Sequence, residues 1–235
     1  MAIWNHFKSM ASRLGLGGKL DGVLDELERA PKQEAAGPRR QQVTFTIAVI
    51  ALGAKMAKAD GTVTNDEIDA FKEIFKVPPG EMANVARIFN MAKQDVAGFE
   101  SYAAQVGRML AGDRALLEDV LHGLFYIATA DNVFHPREEA FLKETASRFG
   151  FSTAEYHQVR ARFLPADKQD PYLILGIPRD LPDDALKAAY RKLVVENHPD
   201  KAMARGLPPE FIKIATAKLA AINEAYEAIR KERGI

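Results

Sequence analysis

Ala189-Tyr-Arg-Lys-Leu-Val-Val-Glu-Asn-His-Pro-Asp-Lys201 is a helix that is forced to stop. Leu186, Ala189, Tyr190, Leu193 and Val194 recur at i, i+3, i+4, i+7 and i+8, which gathers apolar side chains on one face. Lys187, Arg191 and Lys192 fall off that face, with Lys187 and Arg191 one turn apart. Leu181-Pro182-Asp183-Asp184 opens the helix: the proline suits a first turn, and the two carboxylates suit its positive end. Pro199 disfavours helical geometry in the residue before it, so His198 must leave the helix. A loop containing Gly206 and Pro208-Pro209 follows, and a long helix then runs from about Glu210 to Arg233. Its apolar stripe is Phe211, Ile214, Ala215, Leu219, Ile222, Ala225, Tyr226 and Ile229. Two helices with inward stripes joined by a polar loop predict an antiparallel helical hairpin. Ahead of it, Asp170-Pro171-Tyr172-Leu-Ile-Leu-Gly176 predicts a short helical turn that ends at the glycine.

Working toward the N-terminus, Leu164-Pro-Ala-Asp-Lys-Gln-Asp170 is a break, and Ala30-Pro-Lys-Gln-Glu-Ala-Ala-Gly-Pro-Arg40 is a linker without apolar periodicity. Between them helices are expected over about 41–59, 64–77, 80–93, 98–111 and 113–130. Another starts at Pro136, and the last opens at Ser152. Thr64-Asn-Asp-Glu67 and Ser152-Thr-Ala-Glu155 each form a capping box. His135, just before Pro136, is expected to cap the helix there. Strand signals are absent, so the expected fold class is all-α. A repeat lies inside this region: Ala57-Lys-Ala-Asp60 with Glu67 matches Ala128-Thr-Ala-Asp131 with Glu138. Two helix–turn–helix units of this kind are expected to pack face to face.

The composition excludes several classes of function. The 235 residues carry 32 Lys+Arg and 32 Asp+Glu, so no overall field favours nucleic acid. With no cysteine, disulfides, thiolate catalysis and cysteine-ligated zinc are all ruled out. That absence suits a reducing cytosol. No phosphate-cradling Gly-x-x-x-x-Gly-Lys-Ser/Thr loop and no Gly-x-Ser-x-Gly turn occurs, which argues against an enzyme. Val43–Ala54 is the longest uncharged apolar stretch and falls short of the roughly 20 residues of a membrane helix. It reads as a buried core helix. Ile3, Phe7, Met10 and Leu14 fall at helical spacing among Lys8, Arg13 and Lys19. Residues 1–20 can therefore lie on a membrane surface, fold as a short helix against their own protein, or form a floppy tail.

The carboxylates Asp60, Glu67, Asp131 and Glu138 converge if the repeats pack about a pseudo-twofold axis. With Glu139 nearby, they could hold a hard divalent cation. A structural explanation competes: Glu67 completes a capping box, and Asp60 and Asp131 stop helices. The Asp-x-Asp-x-Asp-Gly ladder of an EF-hand is missing. His122, among Leu121, Leu124 and Phe125, reads as a packed or half-exposed residue rather than a ligand.

Residues 41–163, with their doubled Ala-x-Ala-Asp…Glu pattern, resemble the TerB-like helical domain, which implies an acidic face. Ala189-Tyr-Arg-Lys-Leu193, His198-Pro-Asp-Lys201 and Ile222-Asn-Glu-Ala-Tyr226, behind Pro171-Tyr172-x-x-Leu175-Gly176, resemble a J-domain. The order of the two domains and the loop Lys201-Ala-Met-Ala-Arg-Gly-Leu-Pro-Pro-Glu210 resemble DjlA-like co-chaperones. The resemblance implies four parts: an N-terminal segment and linker (1–40), a TerB-like domain (41–163), a linker (164–170) and a J-domain (171–235). It implies that Lys187, Arg191 and Lys192 draw in a DnaK-type chaperone, that His198, Pro199 and Asp200 make the contact, and that the partner's ATPase is stimulated. On that reading the chain needs no cofactor of its own, acts in the cytoplasm or at the inner membrane's edge, and uses its TerB-like domain for localisation, clients or dimerisation. DjlA proteins carry an N-terminal membrane span, and no stretch of this chain matches one. An alternative from another class is a metal- or stress-sensing scaffold with an accessory J-domain.

Overall fold

A computed structural model of the chain describes residues 38–59, 69–70, 98–164, 169–204 and 211–235. Every regular element among them is a helix. In chain order these are α1 (Pro38–Ala59), α2 (Phe99–Met109), α3 (Arg114–Ala128), α4 (Pro136–Arg148), α5 (Thr153–Ala161), α6 (Pro171–Leu175), α7 (Asp183–Glu196), α8 (Pro199–Ala204) and α9 (Ile212–Arg233). The helices expected over 64–77 and 80–93 lie outside the described residues, except that Asp69 and Ala70 are helical.

Helix α1 is the hub. It begins at Pro38, inside the stretch read as linker, because a proline fits a first turn whose N–H groups are unpaired in any case. Phe45, Ala48, Val49, Ile50, Leu52, Ala54 and Met56 are all fully buried. A helix apolar over so much of its circumference has to be wrapped by neighbours. Helices α2, α3 and α4 pack on it, each buried Leu or Phe contributing on the order of 1.5–3 kcal/mol. No described helix is long and apolar enough to cross a membrane.

Local chemistry sets the helix ends. The Asp113 carboxylate accepts from the Leu116 N–H at 2.9 Å and starts α3. The Glu138 carboxylate accepts from the His135 N–H at 3.0 Å at the start of α4. Ser152 and Glu155 complete the expected capping box, the Ser152 N–H donating to Glu155 at 2.7 Å. Asp170 caps α6 by accepting from the Tyr172 N–H at 3.0 Å. Gly176 ends α6 with φ of 66°, a left-handed conformation that costs a side-chain-bearing residue dearly.

Helices α7 and α9 form the expected hairpin, closed by α6. Tyr172, Ile174, Leu175, Leu186, Ile222, Ala225, Tyr226 and Ile229 make its core. Tyr190 stacks flat on Tyr226 with ring centroids 3.8 Å apart, and its hydroxyl donates to Asn223 at 3.0 Å. Arg233 ties the end of α9 to the start of α7, bonding Asp183 at 2.9 Å, the Leu181 carbonyl at 2.6 Å and the Arg179 carbonyl at 2.8 Å.

Several expectations need correction. Pro182 is the residue before the first turn of α7, not within it. On α7 only Leu186 is fully buried, while Ala189, Tyr190, Leu193 and Val194 are half-buried. The stretch after His198 opens as helix α8 rather than loop. On α9 Leu219 is half-buried, whereas Lys218 lies on the buried stripe, 4% exposed.

The buried clusters do not respect the break at 164–170. Ala161, the last residue of α5, belongs to the hairpin core. Ala202, Phe211, Ile214 and Ala215 belong to the core built around α1. Phe211 meets Phe45 edge-on with centroids 4.4 Å apart. Gly123 of α3 makes room for this crossing: a Cβ there would lie 3.2 Å from the Phe211 ring and 3.8 Å from Ile214.

Candidate functional site

The corner after α7 is built from main-chain bonds. The Asn197 N–H donates to the Leu193 carbonyl at 2.9 Å, and its side-chain amide donates to the same oxygen at 2.8 Å, closing α7. His198 then leaves the helix, as Pro199 requires. Its carbonyl accepts from the N–H groups of Lys201 and Ala202, and its Nδ1 accepts from the Asp200 N–H at 3.3 Å. A backbone N–H can only donate, so Nδ1 is the acceptor in this contact, and it also lies 3.6 Å from the Asp200 carboxylate. The imidazole therefore caps α8, with Pro199 and Asp200 in its first turn.

The corner faces water. The His198 side chain is 51% exposed and that of Asp200 78%. Lys187, Arg191 and Lys192 are exposed along α7. Lys192 is loosely paired with Glu196 at 3.9 Å, and among the described residues neither Lys187 nor Arg191 pairs with a carboxylate. Exposed ion pairs at such distances contribute little, so the cationic face stays available. Val195, 55% exposed, extends the Lys187–Arg191 row by one more turn.

The acidic residues of the repeat behave differently. Asp131 accepts from the Val133 N–H at 2.9 Å, Glu138 is 1% exposed at the start of α4, and Glu139 pairs with Arg160 at 2.7 Å. Asp60 and Glu67 lie outside the described residues. Among the described residues no group of three or more His, Asp or Glu side chains could hold a metal ion.

A second cluster of charges, not foreseen from the sequence, lies where α9 crosses α3. Lys218 Nζ sits 3.0 Å from Glu118 and 3.6 Å from Asp119. Arg162 bonds Glu118 at 2.8 Å and His122 Nε2 at 3.0 Å, and the other ring nitrogen of His122 bonds the Glu118 carbonyl at 2.9 Å. Those partners fit a neutral imidazole with its proton on Nδ1. Burial, then Lys218 and Arg162, hold the His122 pKa well below its ordinary value. Burial pushes the Glu118 carboxyl up, but Lys218 and Arg162 outweigh it and hold it well below the usual carboxylate range. Of the two expected placements, packed or half-exposed, His122 takes the first, at 1% exposed. The available signal was a lysine interrupting an apolar stripe.

Residues 46–161 match the family model described as tellurite resistance protein TerB, and residues 170–234 match the DnaJ domain. A co-chaperone protein DjlA of Photobacterium profundum is 32% identical, over 94% of this chain and 91% of that protein. The protein of the same name in Coxiella burnetii is 31% identical over 83% and 79% respectively. That in Escherichia coli K12 is 26% identical over 100% and 99%. No solved structure matches the chain. With a TerB domain ahead of a DnaJ domain and relatives aligned over 79–99% of their length, the chain belongs to the DjlA family of co-chaperones, J-domain proteins that are not themselves enzymes.

Proposed function

We propose that the chain docks a DnaK-type chaperone on the cationic face of α7 and the corner that follows, and thereby stimulates the chaperone's ATP hydrolysis. Lys187, Arg191 and Lys192 speed encounter and fix orientation more than they add affinity. His198, Pro199 and Asp200 make the close contact: the proline stiffens the turn, and the Asp200 carboxylate offers a bidentate grip to a partner arginine. A contact that favours the partner's hydrolysis-competent state shifts its population that way. One observation carries the reading, namely an exposed corner at the end of a helix whose Lys187 and Arg191 find no carboxylate among the described residues.

The boundaries 41–163 and 171–235 are supported by the two family matches, 46–161 and 170–234. The helical domain, read as two helix–turn–helix units, would supply localisation, client capture or self-association. The chain would act in the cytoplasm or peripherally at the inner membrane. The contact through residues 1–20 lies outside the described residues. A cation site at Asp60, Glu67, Asp131 and Glu138 draws no support from Asp131 and Glu138, each of which serves its own turn. Single-turnover ATP hydrolysis by a DnaK-type chaperone tests the reading. The chain accelerates it, and His198→Gln and Asp200→Asn abolish the acceleration while the helical circular dichroism is retained. Undiminished stimulation by both variants would refute it.

A further inference from the structure

The first turns of α9 and the corner helix α8 are anchored in the core of the helical domain. Ala202 is 2% exposed, Phe211 1%, Ile214 4% and Ala215 3%, all in the cluster built around α1. Phe211 crosses Phe45, and Lys218 reaches Glu118 and Asp119 with its side chain 3% exposed. Below Lys218 the helix turns its stripe toward the hairpin's own core, at Ile222, Ala225, Tyr226 and Ile229. Helix α9 therefore serves two cores in succession, and α8, which starts at the corner, rides on the upper one.

A lid would hide what it covers, and this contact does not. His198, Asp200, Lys187, Arg191 and Lys192 stay exposed with the seam closed. A cleft of about 810 Å³ lies between Arg114, Phe151 and Gln158 of the helical domain and Asn197, Lys201 and Ala204 at the end of α7 and along α8. The corner is thus anchored through Ala202 while its His198 and Asp200 side chains stay open to solvent.

We propose that the helical domain braces the J-domain corner: with Phe211 and Lys218 as positioning residues, it holds α8 and the His198–Asp200 turn in the single orientation that the partner chaperone binds. This rests on the docking reading above. A chain whose binding-competent arrangement is populated only in part binds with an affinity lowered by that fraction. Loosening the brace should therefore raise the co-chaperone concentration needed for half-maximal stimulation and leave the plateau at saturation unchanged.

The chain has no cysteine, so Ala215→Cys places a lone thiol in the seam as a reporter of its opening. In the full-length protein the thiol is expected to react with a maleimide far more slowly than a free peptide thiol. A DnaK-type chaperone with ATP at about ten times its half-saturating concentration should slow it roughly tenfold further, since the partner binds the closed seam. Phe211→Ala should raise the half-maximal concentration about fivefold at an unchanged plateau, corresponding to a closed fraction of about one fifth. Phe211→Leu, which refills most of the space, should stay within about twofold of the parent. The brace is overturned if the thiol reacts like a free peptide, if the partner leaves its rate unchanged or accelerates it, or if folded Phe211→Ala stimulates with unchanged half-saturation. Should Phe211→Ala fail to fold, the thiol's response to the partner decides alone. Stimulation surviving His198→Gln and Asp200→Asn would remove the docking reading itself, an outcome separate from any of these.

Discussion

Replacing Lys218 with methionine isolates the charge in the seam, because methionine keeps most of the buried stem. The ammonium is 3.0 Å from Glu118 and 3.6 Å from Asp119, and its side chain is 3% exposed. Breaking a buried pair from one side costs about 3–5 kcal/mol, since the remaining charge is stranded. Arg162 still holds Glu118 at 2.8 Å in the variant, so the low end of that range, about 3 kcal/mol, is expected at pH 7. The deficit should also depend on pH. In the parent, His122 and Glu118 both have depressed pKa values, so the unfolded chain binds more protons than the folded one as pH falls below the ordinary histidine value and then the ordinary carboxylate value. Each such proton removes at most about 1.4 kcal/mol of stability per pH unit. With Lys218 gone, His122 protonates more readily beside Glu118 and takes over part of the missing charge. The variant therefore loses less on acidification, and the two stability curves converge from pH 7 toward pH 5. Urea denaturation followed by far-ultraviolet circular dichroism at each pH measures this. A deficit below about 1 kcal/mol at pH 7, or one that widens in acid, would refute the assignment of Lys218 as the counter-charge of this cluster.

Further expectations follow from single contacts. Gly176→Ala forces a left-handed residue and drives a methyl group into the Gln158 side chain, so urea melts should show a loss of at least about 1–2 kcal/mol. Asp170→Ala removes the acceptor for the Tyr172 and Leu173 N–H groups and should cost about 1 kcal/mol in the same assay, whereas Asp170→Asn, still a competent cap, should cost less. Raising salt from about 0.05 to 0.5 M should raise the half-maximal concentration for ATPase stimulation; Lys187→Ala/Arg191→Ala should raise it already at low salt and flatten the salt dependence, with the plateau little changed.

How much of this was legible follows from how local each signal is. The stop at His198 needed only Pro199 beside it, and the two stripes of the hairpin needed only their own spacing. Val43–Ala54 declared itself a core helix by composition. Helix α8 was missed because six residues cannot display a period of 3.6, although a proline and an aspartate in its first turn were both start signals. The charge cluster was hidden for a different reason: Glu118 and Lys218 are a hundred residues apart in the chain, and only the packed fold brings them together. Lys218 nonetheless carried a hint, lying at i+4 from Ile214 and i−4 from Ile222 on a stripe otherwise buried. A lysine on such a face is rarely accommodated unless a carboxylate waits opposite.

The lengths of the two hairpin helices contained the seam as well. Helix α7 has 14 residues and α9 has 22, so at 1.5 Å per residue about 12 Å of α9 extends past the end of its antiparallel partner. An overhang that is polar all round can stand in water. This one, together with the residue before it, presents Phe211, Ile214 and Ala215 on one side, an apolar face that a two-helix hairpin has no means to cover. Short α8 covers part of it through Ala202, but a six-residue helix cannot shield that whole face. The rest needs a third surface. The helical domain supplies it with Phe45, Val49 and the small Gly123, and the carboxylates of Glu118 and Asp119 take up the buried charge of Lys218. The hairpin's surplus length and the helical domain's acidic edge are thus two halves of one joint, which is why the corner above it is held in place rather than tethered.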